Sequence, residues 1–401
     1  MEVVLRQTNR NCPVCGAGEA DSLHTQRFEL IEAHPLSQGY DVVHCSACGF
    51  IYADTAVSQA DYDRFYSEIS KYEDPKTGTG GGENPFDRAR LEITARQIAD
   101  YLQDPSARIL DVGCANGGLL KALNDLGYHH LCGLDPSTVC VENTRRLGLE
   151  AHPGSLFQPF PYGKFDCLVL SQTLEHVQDV RGAIDWIGGE LETNGKQVAY
   201  IEVPDASRYV DFLYAPFQDF NTEHINHFSL ASLNNVMSLA GFEAMGTGEK
   251  TLTISPDMFY PSIYGFWKKS TGPSRTKMVP DTQLVKRIGE YIRLSRAILD
   301  AIEVRLKAVL SQTPQVIVWG TGQLAMKLLV ETSLGKADIA AFIDNNPIYH
   351  GKTLRGVKIL HPRALAGLDG PILITTILHQ QAIAAQIREL GLPNEIVFLQ
   401  D

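Results

Sequence analysis

From Arg108 onwards the sequence alternates short apolar runs with amphipathic segments, and this alternation constrains the fold more than any other feature. The apolar runs are typical of buried strands, and the segments between them have the apolar spacing and terminal glycines of helices. Such a chain forms a parallel sheet with helices on both faces. A long helical segment over residues 281–311 precedes a second alternation that begins at Gln315. We therefore expect an α/β protein with two Rossmann-like units.

The charge balance excludes some classes of partner. The 401 residues include 35 basic and 47 acidic side chains, which gives a formal net charge of −12. Nucleic-acid binding needs clustered Lys and Arg, so we expect no nucleic-acid partner. No run approaches the ~20 apolar residues that cross a bilayer, and the first residues lack the features of a signal peptide. We expect a cytoplasmic monomer or homodimer without a membrane partner.

Two cysteine knuckles near the start predict a metal site. Residues 12–16 read CPVCG and residues 45–49 read CSACG. In a reducing compartment such pairs favour a metal over a disulfide. Four thiolates at about 2.3 Å from one ion close a tetrahedral zinc site with no open position, so the zinc would be structural. The alternative is a set of unliganded buried thiols. The predicted ligands are Cys12, Cys15, Cys45 and Cys48.

The first alternation opens with a glycine-rich turn. Residues 109–118 read ILDVGCANGG, a strand that runs into a turn and a helix. A dinucleotide site would show Gly-x-Gly-x-x-Gly here. The spacing Asp-x-Gly-x-x-x-Gly-Gly instead resembles motif I of class I S-adenosylmethionine (SAM) methyltransferases. A Rossmann-like domain without this cofactor is the alternative. A carboxylate after the next strand can bind both ribose hydroxyls. The predicted cofactor site comprises Asp111, Gly113, Asn116, Gly117, Asp135, Ser155, Leu156 and Ser171.

Two histidine segments follow strands of the same alternation. Residues 172–176 read QTLEH and residues 221–229 read NTEHINHFS. A carboxylate beside an imidazole can orient it or raise its basicity, which suits acid–base chemistry. Because both segments lie at carboxyl ends of strands, we expect His176, Glu223 and His224 at the cofactor crevice. The alternative, that these histidines are structural, is the one we favour for His227.

Taken together, these motifs resemble the nucleotide-sugar C-methyltransferases, whose best-known members act at C-3 of thymidine-diphosphate keto-deoxysugars. The resemblance covers nearly the whole chain. It implies a zinc-binding domain over residues 1–75, a SAM-dependent methyltransferase domain over 76–275, and a long helix plus a C-terminal Rossmann-like domain over 276–401. The fold it implies is a class I methyltransferase core between a zinc-ribbon-like domain and a second Rossmann-like domain.

The resemblance also implies site residues. The catalytic base maps to His224, with Glu223 beside it, and a second family histidine maps to His176. One family tyrosine maps to Tyr72, with Tyr66 as the alternative. Another falls at Asn221, where this sequence departs from the family.

The implied reaction removes a proton next to a carbonyl, after which the enolate attacks the sulfonium methyl in line. His224 serves as the base, and Tyr72 or Asn221 donates to the enolate oxygen. If the acceptor is a hydroxyl, the same histidine would serve O-methylation. Methylation at nitrogen of a sugar or other small metabolite is another alternative, and RNA methylation is disfavoured by the acidic charge.

The second alternation carries its own glycine-rich turn. Residues 318–325 read VWGTGQLA, and Asp344 follows after the next strand, which is the spacing of a NAD fingerprint. The family resemblance favours a site for the nucleotide of the substrate over a redox site. A packing or dimer unit without a ligand is the third alternative.

Overall fold

The computed structural model describes residues 6–68, 73, 80–158, 160–192, 197–270, 278–365 and 367–400. The chain divides into two compact units. The first consists of Met1–Ser22, Val43–Phe212 and Glu223–Arg287. The second consists of Leu23–Val42, Leu213–Thr222 and Ile288–Asp401.

The regular elements of the described residues follow the two predicted alternations. The strands are β1 (Arg6–Gln7), β2 (Glu19–Arg27), β3 (Gly39–Cys45), β4 (Ile51–Asp54), β5 (Ile109–Val112), β6 (Leu131–Asp135), β7 (Glu150–Pro153), β8 (Cys167–Ser171), β9 (Val198–Pro204), β10 (Asn226–His227), β11 (Phe242–Ser255), β12 (Met258–Lys269), β13 (Gln315–Trp319), β14 (Asp338–Ile343), β15 (Thr353–Leu354), β16 (Val357–Leu360), β17 (Ile372–Ile374) and β18 (Ile396–Phe398). The helices are α1 (Gln59–Glu68), α2 (Pro85–Leu102), α3 (Gly118–Asp125), α4 (Thr138–Arg146), α5 (Val180–Glu190), α6 (Leu230–Leu239), α7 (Thr282–Gln312), α8 (Gln323–Glu331) and α9 (Gln380–Glu389).

A seven-stranded sheet forms the centre of the first unit, in the order β11-β12-β9-β8-β5-β6-β7. The five strands from β9 to β7 are parallel, whereas β12 runs antiparallel to β9 and to β11. Every residue of β5, β6 and β9 is buried, as expected for parallel strands covered on both faces. The predicted α/β architecture with a Rossmann-like core is confirmed.

The order of the strands decides where a ligand can bind. The chain starts in the middle of the sheet at β5, extends to β6 and β7 on one side, and then returns to β8 and β9 on the other. The carboxyl ends of β5 and β8 therefore flank the point where the direction of winding reverses. In open α/β sheets, ligands bind in the crevice at this point.

The N-terminal strands form a separate sheet in the order β1-β2-β3-β4-β10. Its last strand, β10, comes from far along the sequence and pairs antiparallel with β4, so that His227 lies opposite Ile51. The histidine segment that precedes β10 is thus attached to the cysteine-rich region. At its other end, Ser229 caps α6 by accepting a hydrogen bond from Ser232 N.

The second unit has a six-stranded sheet in the order β15-β16-β14-β13-β17-β18. Its strands are parallel except for the short β15. The core beside this sheet is apolar, with Ile317, Trp319 and Ile374 all buried. Within the described parts of both units, no helix is both long and apolar enough to cross a membrane.

Candidate active site

A cavity of about 280 Å³ lies in the first unit at the carboxyl ends of β5, β6 and β8. Residues from the glycine-rich turn line it, among them Gly113 and Ala115. The two histidines predicted to be catalytic, His176 and His224, also line it. The structure therefore brings the predicted cofactor turn and the predicted base to one cavity.

The turn after β5 needs its glycine. Gly113 has a φ of +78°, and a Cβ at this position would lie 2.7 Å from Thr173 Oγ1. Both observations require a residue without a side chain. Gly117 also has a φ of +78°, and its Cβ would meet the side chain of Thr144 at 2.8 Å. The predicted glycines thus bring the backbone close to its neighbours and leave the cavity open above the turn.

Two buried carboxyl groups stand at the strand ends. Burial, together with the nearby charge of Asp135, raises the pKa of Asp111 to about 7. Burial likewise raises the pKa of Asp135 to about 6, although its oxygens accept hydrogen bonds from Ser137 N and Ala115 N, each at 2.9 Å. Both carboxyl groups line the cavity. A cationic ligand would stabilise their ionised forms.

The other predicted cofactor residues lie around the same turn. Asn116 is buried, and its Oδ1 accepts a hydrogen bond from Asn143 Nδ2 at 2.7 Å. Ser155 donates to Asp63 Oδ2 at 2.9 Å, and Leu156 is buried. These residues do not line the cavity themselves. Ser171 does, and its buried Oγ has no hydrogen-bond partner among the described residues.

Three side chains form a compact acid–base group in the cavity. Ligating atoms of Glu175, His176 and His224 all lie within 4.8 Å of one another. The two imidazole rings meet edge to face with centroids 4.9 Å apart. Glu175 is almost completely buried and lines the cavity, and burial raises its pKa to about 8. A carboxyl that holds its proton near neutral pH, beside two imidazoles, suits proton transfer.

The orientation of His176 is fixed by its neighbours. Because a carbonyl oxygen only accepts, Nδ1–H donates to Glu223 O, at 3.0 Å. The Tyr66 hydroxyl lies 2.9 Å from the same nitrogen. The opposite nitrogen, Nε2, lies 3.7 Å from Glu175 Oε1. Neutral His176 therefore carries its proton on Nδ1 and keeps a lone pair on Nε2.

The two histidine segments are joined by Asn226 and Arg10. Asn226 Nδ2 donates to Val177 O at 2.7 Å and to Leu174 O at 3.1 Å, on either side of His176. Buried Arg10 donates to Asn226 Oδ1 at 2.9 Å and also bonds Gln178 O. Burial lowers the pKa of Arg10 to about 10, which still leaves it charged at neutral pH. The cysteine-rich region thus holds both histidines in place.

The remaining predicted catalytic residues have different surroundings. Glu223 is buried beside His224, and its carbonyl oxygen accepts a hydrogen bond from His176 Nδ1. Tyr72 lies outside the described residues, whereas the alternative tyrosine, Tyr66, lines the cavity. Asn221 belongs to the second unit, where its Nδ2 donates to Gln218 O at 3.3 Å.

Several residues that line the cavity were not predicted from the sequence. Arg90 in α2 lines it, and its charge opposes the rise in pKa of Asp111 and Glu175. Gln172 also lines it and has a positive φ of 57°. The β11–β12 hairpin adds an apolar wall. Gln172, Thr173 and Glu175 had a signal in the sequence, because all three lie in the segment that carries His176.

The four predicted metal ligands lie together. Cys12 Sγ and Cys48 Sγ are 3.5 Å apart, Cys15 Sγ and Cys45 Sγ are 3.4 Å apart, and all four sulfurs lie within 4.8 Å of one another. Sulfurs at about 2.3 Å from one ion have a similar separation. The cluster is compatible with a four-cysteine zinc site.

Comparisons with known proteins agree with this geometry. Residues 86–245 match a family model described as "Methyltransferase domain", and residues 312–398 match one described as "C2185-like, N-terminal". The ubiquinone biosynthesis O-methyltransferases of two Xylella fastidiosa strains are 28% identical to this chain over 149 residues. That match covers 34% of this chain and 57% of each relative, so the chain spans little more than half the length of these curated relatives.

Solved structures of methyltransferases are also similar. The 1,6-didemethyltoxoflavin-N1-methyltransferase of Burkholderia thailandensis, crystallised with S-adenosylhomocysteine, is 13% identical, with a TM-score of 0.41 over 56% of this chain and 97% of that one. The CcbJ methyltransferase of Streptomyces caelestis is 11% identical, with a TM-score of 0.39 over 52% and 98%. The strand order and the family match together identify residues 86–245 as a class I SAM-dependent methyltransferase domain.

Proposed function

We propose that this protein transfers the methyl group of SAM to a carbon atom of a nucleotide-linked keto-deoxysugar, through an enolate intermediate. The observation that carries the proposal is the shared cavity: Asp111, Gly113 and Asp135 line it together with His176 and His224. When bound, SAM supplies an electrophilic methyl group on a sulfonium ion. A cavity that holds both this cofactor and an acid–base group is what methylation of an enolised carbon requires.

The cofactor is held by complementary charge. The buried carboxyl groups of Asp111 and Asp135 favour a ligand that carries ammonium and sulfonium groups. Asp135 accepts the ribose hydroxyls. Arg90 lines the same cavity, where it pairs with Asp87 at 2.7 Å, and it would also pair with the methionyl carboxylate of bound SAM. Ser171 offers its buried hydroxyl nearby.

The acid–base group activates the acceptor. His224 removes the proton next to the carbonyl of the sugar, and His176, with its lone pair on Nε2, lies close enough to take that proton on. Glu175, which keeps its own proton near neutral pH because burial raises its pKa, can donate to these imidazoles. The Tyr66 hydroxyl lies 2.9 Å from His176 Nδ1 and lines the cavity, where it would donate to the enolate oxygen. We assign this role to Tyr66, the alternative to Tyr72 in the family resemblance, because Tyr66 lines the cavity.

Labelled methyl transfer tests this proposal. The protein is incubated with methyl-labelled SAM and a panel of thymidine-diphosphate keto-deoxysugars, and NMR locates the methyl group. In D₂O with S-adenosylhomocysteine in place of SAM, the acceptor should exchange the hydrogen next to its carbonyl for deuterium, and the His224→Ala variant should not catalyse this exchange. Labelled product from no nucleotide-sugar, or exchange that persists in His224→Ala, would refute the assignment.

A second candidate function is O-methylation of a small-molecule hydroxyl. The match to O-methyltransferases over 149 residues favours it. His224 would then remove a hydroxyl proton and no carbon-bound hydrogen would exchange. A methyl group found on oxygen, with no deuterium incorporation, would select this function over C-methylation.

We propose in addition that residues 1–75 form a zinc-binding domain in which the four clustered cysteines hold one structural ion. Cys12→Ser should reduce the zinc content from one ion per chain to none and destabilise this domain. Cys140→Ser is the matched control, because Cys140 is buried outside the cluster. A full zinc content in Cys12→Ser would refute the site.

A further inference from the structure

A buried ion pair lies next to the cavity, between the sheet and α2. Lys250 Nζ in β11 is 2.6 Å from Glu202 Oε2 in β9. The Glu202 side chain is fully buried, and that of Lys250 is only 10% exposed. Burying two opposite charges costs several kcal/mol, and replacing such a pair by apolar residues is often neutral or stabilising. Stability alone therefore does not explain why Glu202 and Lys250 are buried together.

The Glu202 carboxylate is the centre of a hydrogen-bond network. Its Oε2 accepts from Tyr200 Oη at 2.8 Å and from Thr94 Oγ1 at 3.1 Å, in addition to Lys250. Burial alone would favour the neutral acid, but the ammonium and these donors hold the pKa of Glu202 below its usual value. Glu202 is thus a carboxylate whose oxygens can only accept.

The other carboxylate oxygen fixes the side chain of Gln172. Gln172 Nε2 donates to Glu202 Oε1 at 3.2 Å and to Ser262 Oγ at 3.1 Å, and Gln172 N donates to Glu202 O at 2.8 Å. An amide facing a carboxylate must present its nitrogen, because two acceptors repel. Both Nε2 protons are therefore used inside the protein, and the amide cannot be turned round.

This orientation leaves Gln172 Oε1 as an acceptor at the cavity. Gln172 lines the cavity, and among the described residues none donates to its Oε1. The residue is held there at a cost, since a non-glycine φ of +57° is strained. The position of Gln172 Oε1 is therefore set by three features: the strained backbone of Gln172, the Glu202–Lys250 ion pair and the fixed orientation of the Gln172 amide.

We propose that Gln172 Oε1 is a recognition subsite for an O–H or N–H group on the methyl acceptor, and that Glu202 and Lys250 position it. The inference rests on the proposed methyl transfer and names a feature of its substrate. In the sheet the strands run in the order β9-β8-β5-β6. Glu202 lies on β9 at one side of this group, and Asp135 ends β6 at the other side. The subsite therefore lies away from the ribose-binding carboxylate, towards the acceptor.

The β11–β12 hairpin adds a second requirement. Leu252, Ile254 and Tyr260 line the cavity from this hairpin, and Ile254 is 39% exposed. An apolar wall beside an oriented acceptor fits a ring that turns a hydroxyl or amine to Gln172 and an apolar face to the hairpin. A deoxygenated sugar ring and a phenol both meet this description, whereas a fully hydroxylated sugar would leave its other donors unpaired against the wall.

A matched pair of small probes tests the subsite without the natural substrate. Phenol donates a hydrogen bond, and anisole has the same ring without a donor. We expect protein saturated with S-adenosylhomocysteine to bind phenol roughly three- to tenfold more tightly than anisole by NMR titration. In Gln172→Met this preference should vanish. Equal binding of the two probes to the wild type, no binding of either, or an unchanged preference in Gln172→Met would overturn the proposal.

The positioning residues have their own readout. Glu202→Gln keeps the shape but lets the Gln172 amide turn round, because a neutral amide both donates and accepts. It should therefore abolish the phenol preference. Lys250→Met should weaken the preference and Lys250→Arg restore it. Lys269→Met, an exposed lysine on the neighbouring strand, is the control that should retain it. A preference that survives Glu202→Gln would remove Glu202 from the subsite.

Cofactor binding separates the two possible sources of the donor. If the ammonium of the cofactor occupied Gln172 Oε1, the affinity for S-adenosylhomocysteine would fall in Gln172→Met, and the assignment to the acceptor would be wrong. We expect that affinity to stay unchanged by calorimetry. Failure of methyl transfer to nucleotide-sugars would refute the proposed substrate but leave the probe preference intact, so the two failures are distinguishable.

Discussion

Two regions of this chain share one design, a strand, a glycine-rich turn and a helix, and only one of them is joined to an acid–base group. In both, the acid after the next strand accepts a hydrogen bond from the turn. Asp135 Oδ2 accepts from Ala115 N in the first unit, and Asp344 Oδ2 accepts from Thr321 N in the second, each at 2.9 Å. The acid of a Rossmann fingerprint thus stabilises the turn itself in both units.

The likeness extends to the fourth strand. Thr173 Oγ1 donates to Val112 O at 3.1 Å, and Thr375 Oγ1 donates to Trp319 O at 3.0 Å. In both units the acceptor is a carbonyl at the end of the strand that leads into the turn. A threonine therefore closes the turn against the neighbouring strand in each unit.

The difference lies in the side chains beyond that threonine. In the first unit the last pair of the β8–β9 ladder is Ser171 opposite Glu202, whereas in the second the last pair of the β17–β18 ladder is Ile374 opposite Phe398. Two residues after the threonine stands Glu175 in one unit and Ile377 in the other. The paired strands thus carry polar side chains at this position in one unit and apolar side chains in the other. A glycine-rich turn followed by an acidic residue after the next strand predicts the fold of a nucleotide site. The side chains at the ends of the strands beyond that turn determine the chemistry of the site.

The largest effect expected from this difference concerns the base. His224→Ala should lower methyl transfer roughly 10²- to 10⁴-fold, because the acceptor loses its proton acceptor. The affinity for S-adenosylhomocysteine should not change. The matched control is His379→Ala, since His379 is exposed and follows β17 much as His176 follows β8. Activity retained in His224→Ala, or lost in His379→Ala, would contradict the contrast between the units.

A smaller effect separates the two acids. Asp135→Asn should weaken S-adenosylhomocysteine binding by roughly tenfold or more, because one charged acceptor of the ribose becomes neutral. Asp344→Asn makes the same change in the second unit and should leave the affinity unchanged. Isothermal titration calorimetry measures both and should give one site per chain. A second site that Asp344→Asn removes would show that the C-terminal turn binds a nucleoside as well.

The buried carboxyl of Glu175 gives a pH-dependent contrast. Because burial raises its pKa from 4.5 to about 8, the folded protein holds this proton more tightly than the unfolded chain does. Its contribution to stability is fully present below pH 4.5 and is lost as the pH rises through 8. In Glu175→Gln the decline in the free energy of unfolding over this range should be shallower, by roughly 1–3 kcal/mol. Identical slopes by chemical denaturation would show that Glu175 titrates normally.

Much of the fold could be predicted because it depends on local patterns. Alternating apolar runs and amphipathic segments identify parallel strands and crossover helices, and the glycine spacing locates the turn after β5. The same patterns placed Asp111, Asp135 and His176 at strand ends, which meet at one edge of a sheet. A residue that directly follows a strand can therefore be placed from the sequence alone. His224, expected at the carboxyl end of a strand, instead lies just before β10 and reaches the cavity from there.

The rest of the site depends on contacts between distant segments. Lys250 reaches Glu202 only because β12 inserts antiparallel between β11 and β9, and no local pattern specifies that pairing. Tyr66 meets His176 across 110 positions of the sequence, a contact between distant segments that no local pattern specifies. Asn221 lies one residue before the point where the chain leaves the second unit, so its proximity in sequence to His224 does not place it at the cavity.

The smallest expected effect tests the feature that the two units share. Thr173→Val and Thr375→Val each remove a hydroxyl that donates to a carbonyl at the start of a turn, and each should cost about 1 kcal/mol of unfolding free energy. Chemical denaturation should give similar costs in the two units. Only Thr173 lines the cavity, so only Thr173→Val should also weaken S-adenosylhomocysteine binding. Similar costs with unequal binding would show that the turns are structurally equivalent and functionally distinct, whereas equal losses of binding would place a nucleoside at both.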